Sequence, residues 1–511
     1  MSTQAPVRRA ACAALALAGL APAQSAAASP RVEEYRKLAE HAFERFQPIG
    51  LALAVIEDGE LVLELGLGER AVGSGEPVLP GTPFNIASCS KAFTAACIGK
   101  LVASGRIRWD DRVVDLLPEF RMADPWITAA MTVRDLLCHR CGLKTFDGDL
   151  LWYGTEYDDA QVLARLAKLP INRRFREEFG YSNVMYLAAG MIVERVSGRP
   201  WTEFVRDEFF TPLGMSGTAA DHSLLPADAA PAQPHVEGTR IAPFAFRAAK
   251  PAGAIWSSVH DLSAWVRMLL DEGRHEGREI LPLAVIHECL KPHTWMGGGR
   301  TPAALEDFAS YGLGWFLSLQ DGKKLVEHDG GMPGFISKVT LLPADRFGLV
   351  ILNNGMDGVV NLALRRAILA QRKGEDGMAL LDRFAGLAAA RKAQAATARQ
   401  QREAARQPGT TPSLPLEQFT GRYVDAALGA AEIGFDGEQL TLAVLPSMPT
   451  LSGKLSHWHR DVFRVEFPDR FLPFALIRFS LDVEGRVEGF RIDCPIEDFD
   501  FAALEFRRQG T

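Results

Sequence analysis

The chain has no excess of positive charge. Its 56 lysines and arginines stand against 63 aspartates and glutamates, a formal net charge of -7, so no basic field is available to draw nucleic acid. Outside the N-terminus, no apolar run reaches the length of a membrane span. Cysteine is scarce. Seven in 511 residues are too few for a disulfide framework in so long a chain. Cys138-His139-Arg140-Cys141 has the spacing of a metal or redox site, but it lacks a second C-x-x-C and a thioredoxin-like βαβ context. It reads as small residues in a packed turn, with a local disulfide open to it in an oxidising compartment. His457-Trp458-His459 would set two imidazoles on one strand face. No Cys, Asp or Glu set completes that site, so these read as surface residues. Neither a metal nor a cofactor is expected.

What the chain does have is length and an ordinary globular composition, 47% hydrophobic and 23% charged. A chain this long divides into two or three domains. Arg8 and Arg9, the apolar stretch Ala10 to Leu20 and the small-residue step Ala21-Pro22-Ala23 form the pattern of a signal peptide. Residues 1–28 are therefore expected to be a signal peptide with a disordered mature start, and the protein to be periplasmic or secreted. Cys12 follows no lipoprotein-type box, and no transmembrane anchor is expected in the mature chain.

Helical spacing of Val32, Tyr35, Leu38, Ala39, Ala42, Phe43 and Phe46 predicts an amphipathic helix that Pro48 ends. Leu51 to Ile56 and Leu61 to Leu65 flank Asp58-Gly59, a hairpin signal. Helical patterns dominate from Ser88 to about Pro212. Lys338 to Leu342 and Gly348 to Leu352 read as strands joined at Pro343 to Arg346. Strands at both ends with helices between predict one α/β unit over 32–373, a sheet built from the two ends and carrying a helical subdomain. Residues 374–415 read as an exposed helix, Gly377 to Arg406, followed by a proline-containing linker. From 416 to 508, alternating runs broken by Asp436-Gly437, Pro468-Asp469 and Glu484-Gly485 predict a small all-β barrel or sandwich.

The chemistry begins at Ser88-Cys89-Ser90-Lys91. Residues three apart share a helix face. A helix starting at Ser88 would bring hydroxyl and amine together beside its first turn, where unpaired N–H groups and the positive dipole end also lie. A lysine in a partly desolvated site loses proton affinity and can take a proton from the serine. Tyr181-Ser182-Asn183 follows Phe179-Gly180 and precedes a helical pattern, so it sits on a loop entering a helix. A phenol near an ammonium group can act as general base, and Asn183 offers both a donor and an acceptor. His328-Asp329-Gly330-Gly331 leads to Met332-Pro333-Gly334-Phe335. Glycines beside a histidine, just before a strand, suggest backbone brought close to a ligand.

S-x-x-K, Y-x-N and H-x-G in this order resemble the serine β-lactamase-like family, which includes class C β-lactamases, penicillin-binding carboxypeptidases, D-aminopeptidases and related esterases. Thr132 to His139, Tyr311-Gly312-Leu313-Gly314-Trp315 and Pro333-Gly334-Phe335 are similar to that family too. The resemblance spans roughly Val32 to Lys373, and the region Leu416 to Arg508 resembles the lipocalin-like β domain often appended to such hydrolases. It implies a β-lactamase/transpeptidase-like fold, an antiparallel sheet flanked by helices with a helical subdomain.

The resemblance also implies roles. Ser88 would attack the substrate carbonyl and form an acyl-enzyme. Lys91 and Tyr181 would share the proton work, with either as the base. Asn183 would position lysine and substrate. The N–H groups of Ser88 and Gly331 would form an oxyanion hole, worth ~3–4 kcal/mol per donor. His328 would face the leaving side, with Asp329 and Gly330 close to the substrate. The family's third motif has lysine where this chain has His328, and threonine where it has Asp329. A permanent cation for a substrate carboxylate is therefore missing. The expected protein is an exported serine hydrolase of a small ester, amide or D-amino-acid peptide, an esterase or peptidase rather than an efficient β-lactamase. The alternative is a non-catalytic cell-wall-associated binder on the same fold. The implied partner is a small-molecule or peptide substrate, and oligomeric state is not readable from sequence.

Overall fold

The computed structural model describes residues 30–297 and 308–510. The segment expected to be a signal peptide lies outside the described residues. Helix α1 (Pro30–Phe46) leads into strands β1 (Gly50–Glu57) and β2 (Glu60–Gly68). The hairpin turns at Asp58 and Gly59, both at positive φ, as a two-residue primed turn requires. The chain then leaves the sheet for helices that include α2 (Ser90–Ala103), α3 (Val133–Leu137), α4 (Asn183–Ser197) and α5 (Val259–Leu270). It returns through β3 (Thr294–Trp295), β4 (Ser310–Tyr311), β5 (Phe316–Gln320), β6 (Lys323–Met332), β7 (Phe335–Leu342) and β8 (Phe347–Asn353). These form one antiparallel sheet ordered β2-β1-β8-β7-β6-β5-β4-β3.

Alternation along β1 decides both packing layers. Leu51, Leu53 and Val55 face α1 and the later helix α6 (Gly358–Arg372), where they meet Tyr35, Leu38, Leu364 and Ile368. Ala52, Ala54 and Ile56 face the opposite way, into the core shared with α2, α4 and α5. Each fully buried Leu, Ile or Val contributes about 1.5–3 kcal/mol, and both layers depend on β1 pairing with β8, Leu53 opposite Ile351.

Helix α7 (Gly377–Ala404) is exposed along most of its length. Its end reaches the second unit, where Arg402 donates to the Phe474 carbonyl at 2.9 Å and Arg406 to the Trp458 carbonyl at 3.0 Å. That unit is a closed eight-stranded barrel: β9 (Gly421–Asp425), β10 (Gly429–Phe435), β11 (Leu440–Val444), β12 (Ser452–His459), β13 (Val462–Val465), β14 (Ala475–Leu481), β15 (Val487–Asp493) and β16 (Phe506–Arg508). Its interior is packed with rings. Phe419 and Phe479 lie 4.9 Å apart between centroids, Tyr423 and Phe490 5.1 Å, Phe490 and Phe506 4.6 Å.

The barrel docks on a surface loop of the helical region. Tyr153 donates to Asp469 at 2.7 Å, Tyr157 to the Leu428 carbonyl at 2.7 Å, and the Glu156 N–H to the Pro446 carbonyl at 2.7 Å. His457 and His459 are separated by a register shift in β12. His457 donates to the Arg460 carbonyl at 2.9 Å and His459 accepts the Gln407 N–H at 3.4 Å, so each imidazole has its own partner. Among the described residues no helix is long and apolar enough to cross a membrane, and all six cysteines, Cys138 and Cys141 included, are free thiols.

Candidate active site

Ser88 does not begin the α-helix. It sits on a single 3-10 turn, Ala87–Cys89, and α2 starts two residues later. Ala87 takes φ +46° there, a conformation that a non-glycine residue holds only when its surroundings enforce it. The enforcement is visible. The Ala87 N–H bonds Asn85 Oδ1 at 3.0 Å, and Ser337 on β7 donates to the Ile86 carbonyl at 2.6 Å. Cys89 donates to the His328 carbonyl at 3.3 Å, which ties the turn to β6; burial pushes its thiol up to about 12. Ser88 itself stays half-buried.

Lys91 is fully buried. Its Nζ donates to Ser88 Oγ at 3.0 Å, Asn183 Oδ1 at 2.6 Å and the Ala252 carbonyl at 2.8 Å. Burial lowers its pKa to about 7, against the attraction of Asp149. The amine therefore exchanges its proton near neutrality, where a lysine in water would not.

Tyr181 and Asn183 enter at the N-terminus of α4. Gly180 is held against the 143–144 backbone; a Cβ there would sit 1.9 Å from the Leu143 carbonyl oxygen. The Tyr181 hydroxyl meets Ser88, and burial raises its pKa. Its ring lies 4.9 Å from Lys91 Nζ. Of the two candidate bases, the amine has the lower proton affinity.

The glycine-rich motif lies within β6, just before β7 begins at Phe335. Close approach explains its glycines. A Cβ on Gly330 would stand 2.3 Å from the Ile86 oxygen and 3.0 Å from the Ser88 nitrogen. Gly331 is one residue on, at the cavity wall. His328 is buried, and burial lowers its pKa to about 3, so it is neutral. Its Nδ1 donates to the Asp329 carbonyl at 2.6 Å, which leaves Nε2 to accept from the Tyr311 hydroxyl at 2.8 Å. Asp329 lines the cavity but is paired with buried Lys338 on β7, so its charge is compensated.

Three residues of this site are not singled out as site residues by the sequence, and of these Asp149 lies in no motif at all. Asp149, on the 3-10 turn Asp149–Leu151, is buried, accepts from Asn183 Nδ2 at 2.7 Å and from Trp152 Nε1 at 2.9 Å. Burial raises its carboxyl to about 7. Tyr311 orients His328. His139 accepts the Ser182 N–H at 3.0 Å and lies 4.2 Å from the Tyr181 ring, with burial holding it neutral. Cys138-His139-Arg140-Cys141 thus supports the Tyr181 segment from behind.

Ser88, Tyr181, Asn183, His328 and Gly331 open onto one cavity of about 1100 Å³. Its walls are aromatic, including Phe146, Trp152, Tyr153, Phe246 and Phe316, and the barrel adds Phe471 and Phe499. The arginines of its rim are partnered, Arg174 with Glu177 at 2.7 Å and Arg173 with Glu178 at 3.9 Å. A serine hydroxyl bonded to a buried amine of lowered basicity, at the foot of such a cavity, is the arrangement of a serine acyl-transfer hydrolase.

Comparison with known proteins gives the same class. The beta-lactamase family model matches residues 36–373, and a domain of unknown function, DUF3471, matches 405–508. The chain belongs to the beta-lactamase family and is a serine hydrolase of that family. Penicillin-binding protein 4 of Amycolatopsis lactamdurans is 30% identical over 326 residues, 60% of this chain and 81% of that protein. The unguisins hydrolase ungD of Aspergillus violaceofuscus (strain CBS 115571) is 27% identical over 421 residues, 76% and 74% of the two chains. Among solved structures, the octameric penicillin-binding protein homologue from Pyrococcus abyssi superposes with TM-score 0.60 at 20% identity, over 93% of this chain and 99% of that one. The D-amino acid amidase from Ochrobactrum anthropi SV3 superposes with TM-score 0.55 at 23% identity, over 67% and 99%.

Proposed function

We propose that this chain is an exported hydrolase that acts through an acyl-enzyme on a small ester, amide or D-amino-acid peptide. The observation that carries the reading is the 3.0 Å bond between Lys91 Nζ and Ser88 Oγ, with the lysine lowered to about 7. Neutral Lys91 takes the Ser88 proton as Oγ bonds to the substrate carbonyl carbon. The carbonyl oxygen gains negative charge between the N–H groups of Ser88 and Gly331. As the bond to the leaving group breaks, the proton passes to that group from Lys91, with Tyr181 beside the same hydroxyl as relay. Water then adds to the acyl carbon, gives a proton back through Lys91, and frees Ser88.

Esterase or peptidase action is favoured over efficient β-lactam hydrolysis. His328 is buried and neutral, and the one cation beside it on the sheet, Lys338, is occupied by Asp329 and by Glu327 at 3.7 Å. A substrate carboxylate has no fixed cation to meet there. The aromatic cavity favours an apolar acyl or side-chain group. The names of the relatives, a penicillin-binding protein, a hydrolase and a D-amino acid amidase, support a substrate with an acyl bond to oxygen or nitrogen. Export, to periplasm or medium, rests on the pattern of residues 1–28 alone.

The test is intact-mass spectrometry after incubation with a fluorophosphonate, an activated ester and a penicillin, with Ser88→Ala in parallel. A stable adduct with the first two reagents that Ser88→Ala abolishes is expected. Labelling that persists in Ser88→Ala, or no labelling with any reagent, overturns the reading.

A further inference from the structure

The barrel touches the hydrolase unit at several points, Lys144 with Asp500 and Thr239 with Arg470 among them, and one contact segment begins at a residue of the active site. Asp149 is buried, with Oδ2 on the Asn183 amide and Oδ1 on the Trp152 indole. Because Asn183 Nδ2 donates to Asp149, its Oδ1 must face Lys91, and the amide cannot flip without losing both bonds. Asp149 also supplies negative charge close to Lys91 where its carboxyl, raised to about 7 by burial, is ionised, so the two groups titrate as a pair. The other groups around that amine are Ser88 and Cys89 on its own turn, Tyr181 and Tyr186 with rings at 4.9 and 5.4 Å, Asn183, and the imidazoles of His139 and His328. Both imidazoles are held neutral by burial and the thiol is raised. Asp149 is thus the carboxylate among these neighbours.

The residues that follow Asp149 carry several of the barrel's contacts. Tyr153 is anchored to Asp469 and packs 4.4 Å from Phe499, Glu156 is bonded to Pro446, and Tyr157 to Leu428. Gly154 abuts Thr450. The path from barrel to amine is contiguous: barrel loops, segment 152–157, Asp149, Asn183, Lys91.

We propose that Asp149 is a positioning residue that fixes the Asn183 amide and provides the counter-charge for Lys91, and that the C-terminal barrel serves in this chain to hold it there. The proposal rests on the acyl-enzyme reading above. Removing the negative charge weakens the ammonium form, so Lys91 is freed of its proton at lower pH.

The experiment measures the rate of Ser88 labelling by a fluorophosphonate and kcat and KM for an activated ester, from pH 5 to 9, on the full chain. In Asp149→Asn, which keeps the shape, the acidic limb should move down by about one pH unit or more, a tenfold change in proton affinity, with KM nearly unchanged. A double variant, Tyr157→Phe with Asp469→Ala, keeps Ser88, Lys91, Tyr181 and Asn183 and loosens the barrel's grip, including its anchors on Tyr153 and Phe471. It should lower the labelling rate about fivefold, the effect of one lost hydrogen bond transmitted to the site. Melting curves identify a variant that has failed to fold, for which Asp149→Glu takes the place of Asp149→Asn and should move the limb less. An unmoved limb, a change confined to KM, or wild-type labelling in the folded double variant overturns the inference. Wild-type protein without Ser88-dependent labelling overturns the underlying reading instead, so the two failures are distinct.

Discussion

Lys91 Nζ lies closer to Asn183 Oδ1, at 2.6 Å, than to Ser88 Oγ, at 3.0 Å. The amide is therefore the main anchor of the amine, and the serine is one of three groups sharing its donors. Truncating Asn183 leaves both Lys91 and Asp149 short of a buried partner. In Asn183→Ala, kcat should fall by roughly 10- to 100-fold, the equivalent of one unpaired buried polar group. Steady-state kinetics on an activated ester checks it; an unchanged kcat would show that the amine holds its place without the amide.

Proton uptake by Lys91 sets a pH limb. Burial brings its pKa to about 7, and only the neutral amine can accept the Ser88 proton. Activity should therefore rise with pH through about 7 and fall tenfold per unit below it. Tyr181, raised by burial, would give a limb far above neutrality if it were the base in the free enzyme. A kcat/KM profile from pH 5 to 9 separates the two, and the absence of any limb near 7 would remove Lys91 from that role.

Stability should also respond to acid through His328. Its folded-state pKa is lowered to about 3 by burial, while in the unfolded chain it is ~6.5. Between those values the unfolded state binds the proton and the folded state does not. Stability present above pH 6.5 is therefore lost as pH falls towards 3, on the order of a few kcal/mol from this group. His328→Gln removes the titration. Its melting temperature should fall less than that of wild type between pH 7 and 4, and parallel curves would mean that other groups govern acid unfolding.

The sequence made visible what is local. Ser88 and Lys91 are three residues apart, the Asp58-Gly59 hairpin is two residues long, and β1 alternates residue by residue. The first two patterns point to the candidate nucleophile and the first hairpin without tertiary knowledge, whereas the two faces of β1, buried on both sides, are distinguished by what packs on them. Asp149 is different. Its meaning comes from a bond to Asn183 34 residues away, and a lone aspartate after Gly148 gives no sign of it. Tyr311 lay inside a stretch similar to the family, but its hydroxyl acquires a role only when β4 and β6 bring it to His328. The two-residue strands β3 and β4 are too short for any alternation to register. The glycines of the His328 motif suggest backbone close to a ligand but not a strand of their own, because glycine is weak in strands. They lie in β6 because the Ser88 turn passes against it.

That contact separates two neighbouring glycines. Both lie in β6, and neither has a left-handed φ, so alanine is permitted by the backbone at each. At Gly330 the new methyl would meet the Ile86 oxygen at 2.3 Å and the Ser88 nitrogen at 3.0 Å; at Gly331 its nearest neighbour is Ile336 Cδ1 at 3.6 Å, an ordinary contact. The 3-10 turn has little room to retreat, since Ser337 and Cys89 bind it to β7 and β6. Gly330→Ala must then shift the turn itself. Overpacking of this kind costs ~1–3 kcal/mol in stability, and a displacement of the nucleophile by about 1 Å costs about a hundredfold in rate. Gly331→Ala keeps its N–H and should retain activity within about threefold, a change of under one kcal/mol in the barrier. Ser88 labelling rates and melting temperatures of the two variants, measured together, check the contrast. Equal losses in both would mean that the methyl acts through the oxyanion pocket, while full activity in Gly330→Ala would mean that the Ser88 turn is not fixed against β6.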